Sequence, residues 1–174
     1  MTATLDGSPS ASGSPIRRSF GRKKFDKQPT QSAAVLLAAP FGDPIPPSAV
    51  RAAVKLSAGA PVAVVTIARI YGSSLGLPNP GLMPTRKEMD AQKTQIEKTV
   101  RQIEKLGVEA WGQIAASRKP IKTIVEAAEA RGVRHVMVIR KEQEVKWRAV
   151  VEGNIVHDIA KKLGKDVQVE GIAP

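Results

Sequence analysis

The residues of this chain best suited to chemistry lie between His135 and Asn154. An apolar run over 135–139 leads into Arg140-Lys141-Glu142-Gln143-Glu144. Lys146-Trp147-Arg148 follow, and the segment ends on Gly153-Asn154, where a helix is expected to begin. In α/β proteins that hold nucleotides, the turn after such a strand is glycine-rich, because bare backbone amides must approach phosphate oxygens. Long and charged side chains stand here instead. Gly153-Asn154 at a helix start still offers amides and a favourable dipole to an anion. Arg140, Lys141, Lys146 and Arg148 could supply charge where backbone contacts are lost, while Glu142 and Glu144 would repel phosphate unless turned outward. Trp147, between two cations, could stack a base or anchor the loop by packing. Asn154 suits a helix N-cap equally well.

Other chemistries are excluded or unsupported. Cysteine is absent, which rules out disulfides, thiolate catalysis and cysteine-ligated zinc. The two histidines, His135 and His157, have no neighbours in sequence at metal-ligand spacing, so no metal site is expected. No acid/base pair or triad is legible. No catalytic residue is assigned, the chain is expected not to be an enzyme, and no cofactor is expected.

The elements that must position these residues begin after a basic arm. Residues 1–32 are Ser, Pro, Gly and basic residues with almost no aliphatic content. Such a composition cannot offset the entropy of ordering, so a disordered arm is expected. Within it, Arg17, Arg18, Arg22, Lys23, Lys24 and Lys27 cluster with Phe20 and Phe25 interleaved. The net charge of +11 is shared by arm and body, and it favours polyanionic partners such as nucleic acid, the ribosome or acidic lipid. The segment 16–24 has the look of an export signal, yet the next apolar stretch is short and sits behind Lys27. It reads as a core strand. No apolar run approaches the roughly 20 residues that span a bilayer, and a cytoplasmic location is expected.

From residue 33 onward, strands and helices alternate. Apolar runs at 33–39 and 61–67, an alternating stretch at 108–114 and the runs at 134–139 and 166–169 read as strands. Helices are expected over about 46–58, 86–106, 119–131 and 152–163, with Pro46-Pro47 and Pro120 at helix starts and Gly59, Gly107, Gly132 and Gly164 at their ends. The 71–84 segment reads as a long loop, a lid or an insertion. This order predicts one α/β domain, 33–174, around a parallel sheet with right-handed crossovers.

The segments KPIKTIVEAAEARGVRHVMVI (119–139) and GNIVHDIAKKLGKDVQV (153–169) resemble the last two helices and strands of the universal stress protein family. That resemblance implies a Rossmann-like, five-stranded parallel sheet in the order 3-2-1-4-5, flanked by helices, with ligands at the carboxyl ends of the strands. It also implies a homodimer through the last strand. ATP-binding members carry G-x2-G-x9-G-[ST] after the fourth strand. Anchored on Gly153, the pattern puts Arg140 and Gln143 at its first two glycines and Asn154 at its hydroxyl. The aspartate near the adenosine has no counterpart in Ala39-Pro40-Phe41, and Asp43 lies too far along.

The expectation is therefore a non-enzymatic binding or regulatory module whose ATP site is degenerate. Its partner-binding residues would be Arg17, Arg18, Arg22, Lys23, Lys24, Lys141, Lys146, Trp147 and Arg148, facing nucleic acid, the ribosome or a protein complex. The alternatives are a nucleotide or anion sensor built on Arg140, Gly153 and Asn154, and an accessory subunit of a larger assembly.

Overall fold

The computed structural model describes residues 32–70, 84–140 and 154–173, together with the backbone of Arg17–Ser19. Its elements are β1 (Arg17–Ser19), β2 (Val35–Ala39), α1 (Pro47–Ser57), β3 (Val62–Arg69), α2 (Arg86–Lys105), β4 (Ala110–Ser117), α3 (Pro120–Arg131), β5 (His135–Ile139), α4 (Ile155–Leu163) and β6 (Gln168–Ile172).

Every strand pairing is parallel, and the sheet order is β1-β4-β3-β2-β5-β6. Without β1 this is the expected 3-2-1-4-5 arrangement. The addition is β1, which pairs Arg17 with Gln113 and Ser19 with Ala115. The arm was expected to lack structure throughout. These three residues differ because the outer edge of β4 offers unpaired N–H and C=O groups, and a ladder needs no apolar side chains to form on them.

The apolar runs sort themselves by alternation, since successive strand residues point to opposite faces. Val35, Leu37, Val62, Val64, Met137 and Ile139 face α1 and α2, joining Ala49, Val50, Ala53, Ile96, Val100 and Ile103. Leu36, Ala63, Val65, Ile67, Val136 and Val138 face α3 and α4, joining Ile124, Ala127, Ala128 and Ile159. Each fully buried Leu, Ile or Val contributes on the order of 1.5–3 kcal/mol relative to exposure. With few aromatics to fill space, close approach replaces bulk. Gly112 on β4 lies directly beneath the Ile96 side chain of α2, with no room for a Cβ.

Two boundaries differ from the sequence reading for local reasons. At the end of α2, Gly107 takes φ +83° and Val108 N–H still donates to Ile103 O. Val108 therefore belongs to the helix exit, and β4 starts at Ala110. At its far end β4 runs on to Ser117, because β3 continues to Arg69 and pairs with it there. The start of α2 carries a capping box that periodicity did not reveal. Thr85 Oγ1 accepts from Glu88 N–H at 3.2 Å and Glu88 Oε2 accepts from Thr85 N–H at 2.7 Å, so two orphan donors are satisfied reciprocally. Among the described residues no helix is long and apolar enough to cross a membrane.

Candidate functional site

In an open parallel sheet the ligand crevice opens outside the strand carboxyl ends, where the strand order reverses. Here that point lies between β2 and β5. On the β2 side, Pro40 is buried and Gly42 takes φ +73°. A side chain at Gly42 would meet Gln92 Nε2 of α2. Gln95 Nε2 donates to Asp43 O at 2.7 Å, so Gln95 of α2 pins the loop after β2 while Gln92 lies close against Gly42. Beneath it, opposite Ala39 on the neighbouring strand, Thr66 is 1 % exposed, and its Oγ1 has no hydrogen-bond partner among the described residues. Gln92 Oε1 is likewise buried without one. Sequence reading missed this polar floor; a lone threonine inside the apolar run of β3 was its only signal.

On the β5 side, both described residues of the predicted phosphate grip have structural occupations. Arg140 N–H donates to Ile172 O at 2.8 Å, extending the β5–β6 ladder by one residue. Its side-chain methylenes lie over Gly171, in the space a Cβ would occupy there, beside Val156. Asn154 caps α4, its Oδ1 accepting from His157 N–H at 3.3 Å. Glycines in a phosphate loop leave backbone amides free and approachable. At position 140 the amide is engaged and a long side chain stands over the edge. Arg140 thus does not present the free, approachable amide of a glycine at that position. Gly153, Lys141, Lys146, Trp147 and Arg148 lie outside the described residues, as do Arg22, Lys23, Lys24 and the 71–83 segment. Arg17 and Arg18 are placed by their backbone alone, in β1.

A second feature was not foreseen. The turn after β4 and the first turn of α3 face the last turns of α4 across an open cleft of about 790 Å³. Among the described residues, Arg118, Lys119, Lys122, Lys161 and Lys162 line it with Pro120, Ile121 and one carboxylate, Asp158. The five cationic residues are all exposed. At the start of α3, Lys119 N–H donates to Ser117 Oγ at 3.0 Å and Thr123 Oγ1 donates to the same oxygen at 2.8 Å. The N-cap residue itself, Lys119, supplies no side-chain cap. The two basic stretches lie some forty positions apart in sequence, and each alone reads as an ordinary solvated face. The adjacent pair Arg118-Lys119 just before a helix-starting proline was the available hint.

Among the described residues no group of histidines and carboxylates could hold a metal ion. Glu88 has its carboxyl held below the ordinary value by the backbone and side-chain hydrogen bonds of Thr85. Burial pushes Arg131 below the usual arginine range. Both shifts have structural causes, and neither residue lies in the crevice.

No protein-family model matches the sequence, and no curated protein sequence matches it. Solved structures do. The universal stress protein of Archaeoglobus fulgidus in complex with dAMP is 20 % identical and superposes with a TM-score of 0.54 over 79 % of this chain and 98 % of that one. A second structure of the universal stress protein from that organism gives the same identity and TM-score over 80 % and 95 %. Likeness at this identity concerns the backbone path, and it agrees with the strand order and crossovers described above. The chain has the universal stress protein fold.

Proposed function

We propose that this chain is a non-enzymatic binding module of the universal stress type, with a degenerate nucleotide site and a polyanionic partner. The observation that carries the reading is the double occupation at the end of β5: the amide of Arg140 serves the β5–β6 ladder, and Asn154 Oδ1 serves the cap of α4. A sheet edge built this way gives stability where a phosphate grip would need free donors. The basic arm and the 140–148 loop dock electrostatically on the partner, and the sheet domain, residing in the cytoplasm, acts as scaffold. The outer edge of β6, which pairs with no further strand among the described residues, suits a homodimer interface.

Thermal-shift titration with ATP and dAMP tests the nucleotide part. A ligand at a hundred times its Kd stabilises by about 2.7 kcal/mol, which at 2–4 °C per kcal/mol is roughly 5–11 °C in melting temperature for a domain of about 150 residues. No saturable shift at millimolar nucleotide is expected. A saturating rise of several degrees would overturn the reading in favour of a nucleotide sensor. That second reading draws on the dAMP bound by the Archaeoglobus protein and on the buried Thr66 Oγ1 beneath the crevice, which has no partner among the described residues.

A further inference from the structure

We infer that the cleft between the start of α3 and the end of α4 binds the phosphodiester backbone of single-stranded nucleic acid. This rests on the polyanion reading above and gives the partner a place on the described surface. Arg118, Lys119 and Lys122 on one wall face Lys161 and Lys162 on the other, and among the described lining residues Asp158 alone is acidic. Taken alone, each group has an ordinary explanation. Lys161 and Lys162 suit the negative pole of α4, and Lys122 pairs with Glu126 at 3.6 Å. Neither explains why two basic segments, distant in sequence, converge on one concavity. The Lys122–Glu126 pair is solvent-exposed, and exposed ion pairs contribute little because water screens them, so it yields readily to a phosphate.

The first turn of α3 adds to the field. Pro120 occupies the start of a 12-residue helix whose N-cap side chain makes no capping bond. Its positive pole therefore opens into the same cleft. The remaining lining favours a chain over a small molecule. A small-ligand pocket fixes orientation with a few placed polar groups in a mostly enclosed space. Here the cationic groups are exposed, the space is open, and Pro120 and Ile121 give an apolar floor. A positively charged groove that tracks a backbone is the usual means of holding a single strand. Among the described residues no aromatic side chain lines the cleft, so the described lining offers charge without base stacking, and binding to it is indifferent to sequence. Charge directed at the phosphodiester backbone does not distinguish ribose from deoxyribose.

The test is fluorescence anisotropy of the full chain with labelled 15-mers of oligouridine and oligothymidine between 0.05 and 0.5 M salt (about one decade). Four proteins are compared: wild type, K161A/K162A, R118A/K119A and the arm variant R22A/K23A/K24A. Circular dichroism checks each fold, and the cleft substitutions fall on exposed side chains outside the core. Each lost phosphate contact lowers the salt slope by about 0.7 for single strands. Each cleft double variant therefore lowers it by about 1.4 and weakens binding roughly 25-fold at 0.1 M, with affinity at 1 M unchanged. Oligouridine and oligothymidine are expected to bind alike. Cleft variants that bind like wild type, with only the arm variant impaired, overturn the cleft and leave the polyanion reading standing. A wild-type chain that binds neither oligomer at 0.05 M overturns both.

Discussion

Arg131, 7 % exposed at the end of α3, donates from Nη2 to Gln113 Oε1 on β4 at 2.6 Å. Nη1 donates to Ala127 O at 3.0 Å, and Nε has no partner among the described residues. A guanidinium is thus buried beside a neutral acceptor. Even with its pKa lowered by desolvation, arginine starts so high that it stays charged at neutral pH. The side chain ties α3 to the strand on which β1 adds, since Gln113 stands opposite Arg17.

The bond is expected to be energetically visible because one partner is a desolvated charge. Gln113→Leu removes an acceptor from a buried cation and should destabilise by about 2 kcal/mol. Arg131→Met with Gln113→Leu removes both partners, and replacing buried polar pairs by apolar groups is often neutral. The double variant should therefore lie closer to wild type than the sum of the singles. Urea unfolding of all four proteins checks this, and additive effects would show that the bond contributes nothing.

Gly112 admits α2 onto the sheet, and its substitution should be felt through Ile96. A Cβ there overlaps Ile96 Cγ2 and comes within 3.3 Å of Val100 Cγ2. Gly112→Ala should destabilise by about 1–3 kcal/mol, the usual range for overpacking. Ile96→Ala alone should cost about 2–5 kcal/mol through its cavity. In the double variant the new methyl occupies part of that cavity, so the combined loss should fall short of the sum. A strictly additive result in denaturant unfolding would contradict this packing.

These residues also show where sequence reading stops. The strands were legible because a parallel sheet covered on both faces must be built from runs such as Val35–Ala39, apolar in every position. Helix ends were legible where glycine takes positive φ, as at Gly107 and Gly132. Arg131 was not. It sits in the last turn of α3, where a cation suits the dipole, and only the packing of α3 beside β4, with Gln113 as acceptor, turns it inward. The cleft was hidden for a related reason: Lys119 and Lys161 become neighbours across it only once α3 and α4 pack on the same face. Of the predicted nucleotide grip, composition revealed the missing glycines. It could not reveal that the Arg140 amide is used by β6.

Asn154 should matter to helix stability before it matters to any ligand. Its side chain satisfies one orphan donor of a nine-residue helix. Asn154→Ala should destabilise by about 1 kcal/mol, Asn154→Ser or Asp by little, and Asn154→Gly by a few tenths. Thermal unfolding gives the ranking. A ranking in which Ala and Ser behave alike would remove the cap from the account.

The capping box at the start of α2 predicts a pH dependence with a defined sign. Glu88 Oε2 accepts from the Thr85 amide at 2.7 Å and from Thr85 Oγ1 at 2.9 Å. These bonds favour the carboxylate and lower its pKa in the folded chain. A carboxyl with a depressed folded pKa contributes stability that is present above its unfolded value and lost as pH falls through the folded one. Wild type should therefore exceed Glu88→Gln by a constant margin at neutral pH, and that margin should shrink as pH falls below the ordinary carboxylate range. Gln can accept the amide bond but carries no charge to titrate. Amide hydrogen exchange at Thr85, compared between the two proteins from pH 6 to pH 3, reads the difference locally. Parallel pH profiles would show that the ionised carboxylate is not what holds the start of α2.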